Sequence, residues 1–248
     1  MILCIDAGNT RIKWGVATSA TGPWLAQGAV LTAAPQDLPN QLPGCAAAGS
    51  ALVCSVAGDQ IDQALAKLLE SRGIAISWLR AGSAAFGVRN DYRNPAQLGA
   101  DRWAALIGAR GLHRGPVLVV MAGTATTIDV LDASGCFRGG FILPGFDLMR
   151  SALARNTAQL PLAEAEPSEF PRSTDEAIVS GCLAAQAGAV DRMFRRIAAE
   201  PHACCLLSGG GAQRLASVLD LPLKRVDNLT LEGLRRAAFE GADPEFDR

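Results

Sequence analysis

Apolar residues fall into short runs and alternations broken by glycine, proline and small polar residues, and they predict strands and helices in alternation. Ile2 to Ile5 is an apolar run, Asp6-Ala7-Gly8-Asn9-Thr10 interrupts it, and Ile12, Trp14 and Val16 alternate with polar or small positions. This is a β-hairpin rather than a strand feeding a helix. Thr32 to Gly49 reads as loop with a short helix, and Leu52 to Val56 as a buried strand. A helix capped by Asp59 then carries Ile61, Leu65, Leu68 and Leu69 on one face before Gly73, and Ile74 to Leu79 returns as a strand. Strand, helix and strand in that order imply parallel pairing and an α/β class.

The opening pattern recurs half a chain later. Val117 to Val120 is the apolar run, Met121-Ala122-Gly123-Thr124-Ala125 the turn, and Thr127 to Leu131 the returning strand. Self-similarity at this offset predicts two related lobes, 1–115 and 116–248, with a boundary near Gly115-Pro116. Further on, Ala163 to Arg172 reads as an exposed loop, and Ser173 with Glu176 as a capping box opening a long helix through about Ala199. Cys204 to Leu207 reads as a strand ending in Ser208-Gly209-Gly210-Gly211-Ala212, followed by a helix with Leu215, Val218 and Leu219. Leu231 to Phe239 gives a closing helix.

Composition narrows the function classes. In 248 residues, 49% are apolar, enough for a substantial core, so disorder is not the dominant state. The 23 basic and 24 acidic side chains nearly cancel and only 5% of residues are aromatic, which suggests neither a nucleic-acid surface nor a base-stacking platform. Asp6 ends the first apolar run too early for a signal peptide, and no uncharged apolar run is long enough to span a membrane, so a soluble, cytoplasmic protein is expected. Seven cysteines, at 4, 45, 54, 136, 182, 204 and 205, lack zinc-ligand spacing, and His113 and His202 have no adjacent second ligand. Reduced thiols and no transition-metal site are the expectation.

The candidate chemistry lies at the turns. Neither a P-loop nor a correctly placed dinucleotide fingerprint is present. Asp6-x-Gly8-Asn9-Thr10 can bind phosphate through backbone donors and hold Mg²⁺ through Asp6, or be an ordinary Asp/Gly/Asn turn. The second turn at Gly123-Thr124 favours the first reading, because two such tips can hold the two ends of a polyphosphate. Lys13 either neutralises phosphate charge or is a solvated strand residue. Asp101, in Gly99-Ala100-Asp101-Arg102, is either a helix N-cap or a general base for a substrate hydroxyl, with Arg102 binding an anionic group. Tyr92 is a surface ring or a pocket wall, Thr174 a capping helper or a substrate contact, and the Gly209 turn a packing device or a surface for adenine or ribose.

Taken in order, Asp6-Ala7-Gly8-Asn9-Thr10, Tyr92-x-x-Pro95-x-x-x-Gly99-Ala100-Asp101-Arg102 and Gly123-Thr124-Ala125-x-Thr127 resemble the motifs of the type III pantothenate kinase family. Gly139-Gly140-x-Ile142-x-Pro144-Gly145, Ser173-Thr174-x-x-Ala177-Ile178, Gly209-Gly210-x-Ala212 and Asn228-Leu229-x-Leu231-Glu232-Gly233-Leu234 continue the match over nearly the whole chain. The family belongs to the acetate kinase, sugar kinase, Hsp70 and actin superfamily. The resemblance implies an α/β fold of two related actin-like, ribonuclease H-like lobes, each a mixed sheet flanked by helices, with an ATP cleft between them. It further implies phosphorylation of pantothenate by ATP with Mg²⁺, ATP contacts from Asp6, Ala7, Gly8, Asn9, Thr10, Arg11, Ile12, Lys13 and Thr124, and pantothenate contacts from Tyr92, Gly99, Ala100, Asp101, Arg102 and Thr174. Asp101 would accept the proton, and a homodimer would place the substrate pocket at its interface. Where the family carries an aspartate for a monovalent cation such as K⁺ or NH₄⁺, this chain has Met121, a poor ligand for a hard cation. An ATP-binding regulatory protein of the same fold, or a superfamily kinase for another small hydroxylated substrate, are the alternatives.

Overall fold

The computed structural model describes residues 1–42 and 48–240. Cys45 and the 43–47 part of the Thr32–Gly49 segment lie outside the described residues. In chain order the elements are β1 (Ile2–Ala7), β2 (Arg11–Ala17), β3 (Ala26–Leu31), α1 (Leu38–Gln41), β4 (Ser50–Ser55), α2 (Asp59–Glu70), β5 (Ala75–Trp78), β6 (Ala84–Ala85), β7 (Val88–Asn90) and α3 (Ala100–Leu112). They continue with β8 (Val117–Ala122), β9 (Ala125–Leu131), β10 (Cys136–Pro144), α4 (Phe146–Asn156), α5 (Thr174–Phe194), β11 (Cys204–Ser208), α6 (Ala212–Ala216), β12 (Leu223–Arg225) and α7 (Leu229–Glu240). They form two compact units. Among the described residues, the first comprises those of 1–114, Gly135–Phe137 and 228–240; the second comprises Gly115–Ser134 and Arg138–Asp227. The division therefore differs from a single cut at 115/116, because the closing helix and three residues around Cys136 belong with the first unit.

In the first unit the sheet runs β3-β2-β1-β4-β5. β1 pairs antiparallel with β2, and parallel with β4, which pairs parallel with β5 through the α2 crossover. Alternation along β1 sends Leu3, Ile5 and Ala7 into a core with Ile12, Val53, Leu65 and Leu69. Cys4 shares the opposite layer with Cys54, Ala104, Leu231 and Leu234, where α3 and α7 pack. These two helices meet at glycines. A Cβ at Gly233 would stand 1.8 Å from the Ala104 carbonyl oxygen, and one at Gly108 would stand 2.5 Å from that of Leu229. That close approach explains why α7, last in the chain, belongs with the first unit.

The second unit repeats the order, as β10-β9-β8-β11-β12, with α6 crossing between the parallel strands β11 and β12. Leu118, Val120, Ile128, Cys205 and Leu207 form its core with Ala187, Val190 and Met193 of α5. The expected hairpins, the βαβ unit and the Ser173 cap are present; the Ser173 hydroxyl accepts from the Glu176 N–H at 3.2 Å. Three details differ from expectation. The cap of α2 is Gly58, whose φ of +92° suits glycine, and not Asp59. α5 ends at Phe194 rather than Ala199, and α6 spans five residues, leaving Val218 and Leu219 beyond it. Two elements fall where the sequence pattern predicts none: β3, whose Gly28 lies against the Trp14 indole, and α4, which follows Gly145.

Gly233→Ala should lower stability by about 3 kcal/mol in urea unfolding, since backbone must move to admit the methyl group. Gly188→Ala, at an exposed position of α5 where an added Cβ meets nothing within 4 Å, should raise it by about 1 kcal/mol.

Candidate active site

Strand alternation turns the first turn into a site. Asp6 points to the α3 side of the sheet, opposite Ile5, and the β1–β2 register pairs it with Lys13 while the β1–β4 register pairs it with Cys54. The Asp6 carboxylate is 8% exposed and accepts a hydrogen bond from the Cys54 thiol at 3.6 Å. Burial pushes its pKa up to about 6 from 3.8; nearby Lys13 opposes the rise, the negative charge of Asp101 adds to it, and the Cys54 hydrogen bond lowers it. Asp6, Lys13 and Asp101 thus share one electrostatic neighbourhood. Lys13 is half-buried rather than a solvated strand residue.

The Gly8 N–H donates to the Arg11 carbonyl at 3.1 Å, closing the turn, and Asn9, Thr10 and Arg11 are exposed at its tip, while Ala7 and Ile12 behind it are buried. Thr32 holds the turn from the side. Its hydroxyl donates to the Gly8 carbonyl at 2.7 Å and its N–H to the Thr10 carbonyl at 3.0 Å.

Asp101 enters from the first turn of α3. The helix cap is Gly99 rather than Asp101, and a Cβ on Gly99 would lie 2.7 Å from the Asp101 Oδ1, so only glycine leaves the carboxylate its place. Asp101 is the second helical residue after Ala100, half-exposed, and accepts the Arg102 N–H at 2.8 Å. Arg102 is 5% exposed. Its Nη1 donates to the Tyr92 hydroxyl at 3.0 Å, and its guanidinium lies over the rings of Tyr92 and Phe137. Buried Asn90 organises this loop, donating from Nδ2 to the carbonyls of Gly82 and Pro95 and accepting the Tyr92 N–H, each at 3.1 Å. The first unit thus brings together Asp6, Lys13, Tyr92, Gly99, Asp101 and Arg102. Thr32, Cys54, Asn90 and Phe137 carry no motif that singles them out in the sequence; only pairing register and loop closure identify them.

Thr124 and Thr174 belong to the second unit. Thr124 is exposed at the tip of the β8–β9 hairpin, and its carbonyl accepts the Gly145 N–H at 2.8 Å. The Gly209 turn packs against this hairpin: Gly209 has φ of +103°, a Cβ there would meet the Ala122 carbonyl oxygen at 2.4 Å, and the Gly211 N–H donates to that same carbonyl at 2.9 Å. Only Gly210 faces open space. Met121, half-buried in β8, is flanked by Thr127 and Ser208. Thr174 opens α5 at the edge of a largely apolar cavity of ≈ 780 Å³, lined also by Met149, Leu153, Leu160, Ile178 and Cys182. No group of three or more His, Cys, Asp or Glu suited to a metal ion exists among the described residues.

Among solved structures, a protein described as a Baf family transcriptional activator from Campylobacter jejuni superposes with a TM-score of 0.60 at 19% identity, covering 94% of this chain and 96% of that one. A protein from Sinorhizobium meliloti described as a 2-dehydro-3-deoxygalactonokinase gives 0.60 at 18% identity, covering 96% and 98%. These likenesses show the fold, an α/β arrangement shared with both proteins. In sequence, a type III pantothenate kinase of Aromatoleum aromaticum is 56% identical over 98% of this chain and 99% of its own length. The family model of the type III pantothenate kinases matches residues 2–196, and the chain belongs to that family.

Proposed function

We propose that this chain transfers the γ-phosphoryl group of ATP to the 4′-hydroxyl of pantothenate, giving ADP and 4′-phosphopantothenate, the first step of coenzyme A synthesis. Beside family membership, one observation carries the reading: Asp6, Lys13 and Asp101 converge on one face of the first unit's sheet. Two acids with one lysine fit phosphoryl transfer, which asks for positioning and charge neutralisation rather than covalent catalysis. They also favour an enzyme over an ATP-binding regulatory protein of the same fold.

The segment Asp6 to Lys13 binds ATP phosphates through the exposed turn, and Lys13 offsets their charge. Thr124 is assigned to the nucleotide as well. Asp6 fits Mg²⁺, which takes one or two carboxylates and keeps several waters, and a cation there offsets the cost of ionising a buried carboxyl. When bound, the ion neutralises charge on the phosphates. Asp101 accepts the hydroxyl proton as the oxygen attacks. Tyr92, Gly99, Ala100 and Arg102 bind pantothenate, with Arg102 directed at its carboxylate. Thr174 completes that pocket from the partner in a homodimer; its exposed place beside an apolar cavity supports this. The thioether of Met121 does not fit K⁺ or NH₄⁺. We place the protein in the cytoplasm, where ATP is abundant; no helix among the described residues is long and apolar enough to cross a membrane.

The direct test is pantothenate-dependent ADP release with mass detection of 4′-phosphopantothenate. Asp101→Asn should lower kcat at least about 100-fold while leaving the KM for ATP nearly unchanged; an unaltered rate removes Asp101 from the proton-accepting role. Turnover should be the same within about twofold in Na⁺, K⁺ and NH₄⁺ salts, and a strict K⁺ requirement would contradict the reading of Met121. Because Asp6 has a raised pKa in the folded chain, the ligand-free protein binds a proton that the unfolded chain has released between pH 3.8 and about 6. Stability falls as pH rises through that window. Asp6→Asn should therefore stabilise the ligand-free chain at pH 7.5 by on the order of 2 kcal/mol in urea titrations, the gap closing toward pH 4, while weakening Mg·ATP binding in calorimetry.

A further inference from the structure

We infer that Phe137 fixes the Arg102 guanidinium for recognition of the substrate's carboxylate, and so acts as a positioning residue for the choice between acid and neutral substrates. The inference deepens the pantothenate reading and rests on it. Three side chains form one closed cluster: the Arg102 Cζ lies 5.7 Å from the Tyr92 ring centroid and 5.6 Å from that of Phe137, and the two rings are 5.0 Å apart at 50°. Phe137 is fully buried, so its ring has no freedom to follow a moving arginine.

The backbone reinforces that placement. Phe137 stands in register with Asn90 in the parallel pairing of β10 with β7, and its carbonyl accepts the Asp91 N–H at 3.1 Å. Asn90 in turn sets Tyr92 through the Tyr92 N–H. One strand segment thus supports both aromatic neighbours of the arginine. The segment is Gly135–Phe137, which belongs to the first unit although the residues on either side of it belong to the second.

The physical role follows from what a ring face offers a cation. Arg102 is almost wholly withdrawn from water, and a buried guanidinium needs compensating partners. The Phe137 face attracts the charge without taking an N–H group, unlike the Tyr92 hydroxyl, which accepts from Nη1; a carboxylate engages guanidinium N–H groups in two parallel hydrogen bonds. Tyr92 is half-exposed and can shift with a bound ligand, whereas Phe137 is the immobile side of the cluster. Removing its ring frees the guanidinium to leave the orientation that a planar, bidentate contact requires.

The experiment compares kcat/KM for pantothenate with that for its alcohol analogue, in which a hydroxymethyl group replaces the carboxylate. The parent chain should favour pantothenate, and Arg102→Gln should shrink that preference at least about tenfold. Phe137→Leu and Phe137→Met, which keep an apolar side chain without a ring, should each shrink it about fivefold through the KM for pantothenate. The KM for ATP and the kcat on the analogue should stay as in the parent, and Phe137→Tyr, which retains the ring, should restore the preference. A preference lost in Arg102→Gln but intact in both ring-free variants overturns the inference and leaves the pantothenate reading standing. A preference intact in Arg102→Gln overturns it as well, because Arg102 then does not read the carboxylate. If the parent phosphorylates neither compound, the functional reading itself fails.

Discussion

The first unit is organised around the cost of hiding a carboxyl group beside another acid. Asp6 lies under the protein's surface with Asp101 in its field, and such a group keeps its charge only when cations stand close. Lys13 is one such cation, placed by hairpin register; the magnesium-bound nucleotide would bring the rest. In the ligand-free chain the Asp6 carboxyl is thus poorly satisfied, and under the proposed function its ligand would relieve that cost.

Geometry that would be incidental elsewhere gains meaning from that constraint. The glycine at 99 leaves the Asp101 carboxylate its place, and Thr32 ties down the Gly8 and Thr10 carbonyls of the β1–β2 turn. The strand order of the first unit recurs in the second, with an equivalent hairpin and an equivalent crossover helix. In the second copy the position matching Asp6 carries Met121, so duplicated scaffolding supports unlike chemistry.

Hairpins, the βαβ unit and the Ser173 cap were legible because each has a short-range cause: alternation, a glycine-bearing turn, a hydroxyl three residues before a helical N–H. β3 was not, because Ala26-Gln27-Gly28-Ala29-Val30-Leu31 alternates weakly and owes its place to Trp14 lying over Gly28. α4 follows a run read for its glycines, although Phe146, Met149 and Leu153 keep helical spacing. Motif residues of the site could be named from the sequence, yet Asp101 read equally well as a cap until the preceding glycine proved to be the cap. Thr32, Cys54, Asn90 and Phe137 are set by pairings distant along the chain, which local patterns do not encode.

The glycine crossing of α3 and α7 has a consequence for how the molecule comes into being. α3 emerges from the ribosome early, and the helix that covers it is made only after all residues of the other unit. Until then Ala104 and the layer around Cys4 and Cys54 lack their apolar cover. The α3 layer therefore stays partly uncovered until the residues of α7 have been made, and exposed apolar surface over that interval favours misassembly.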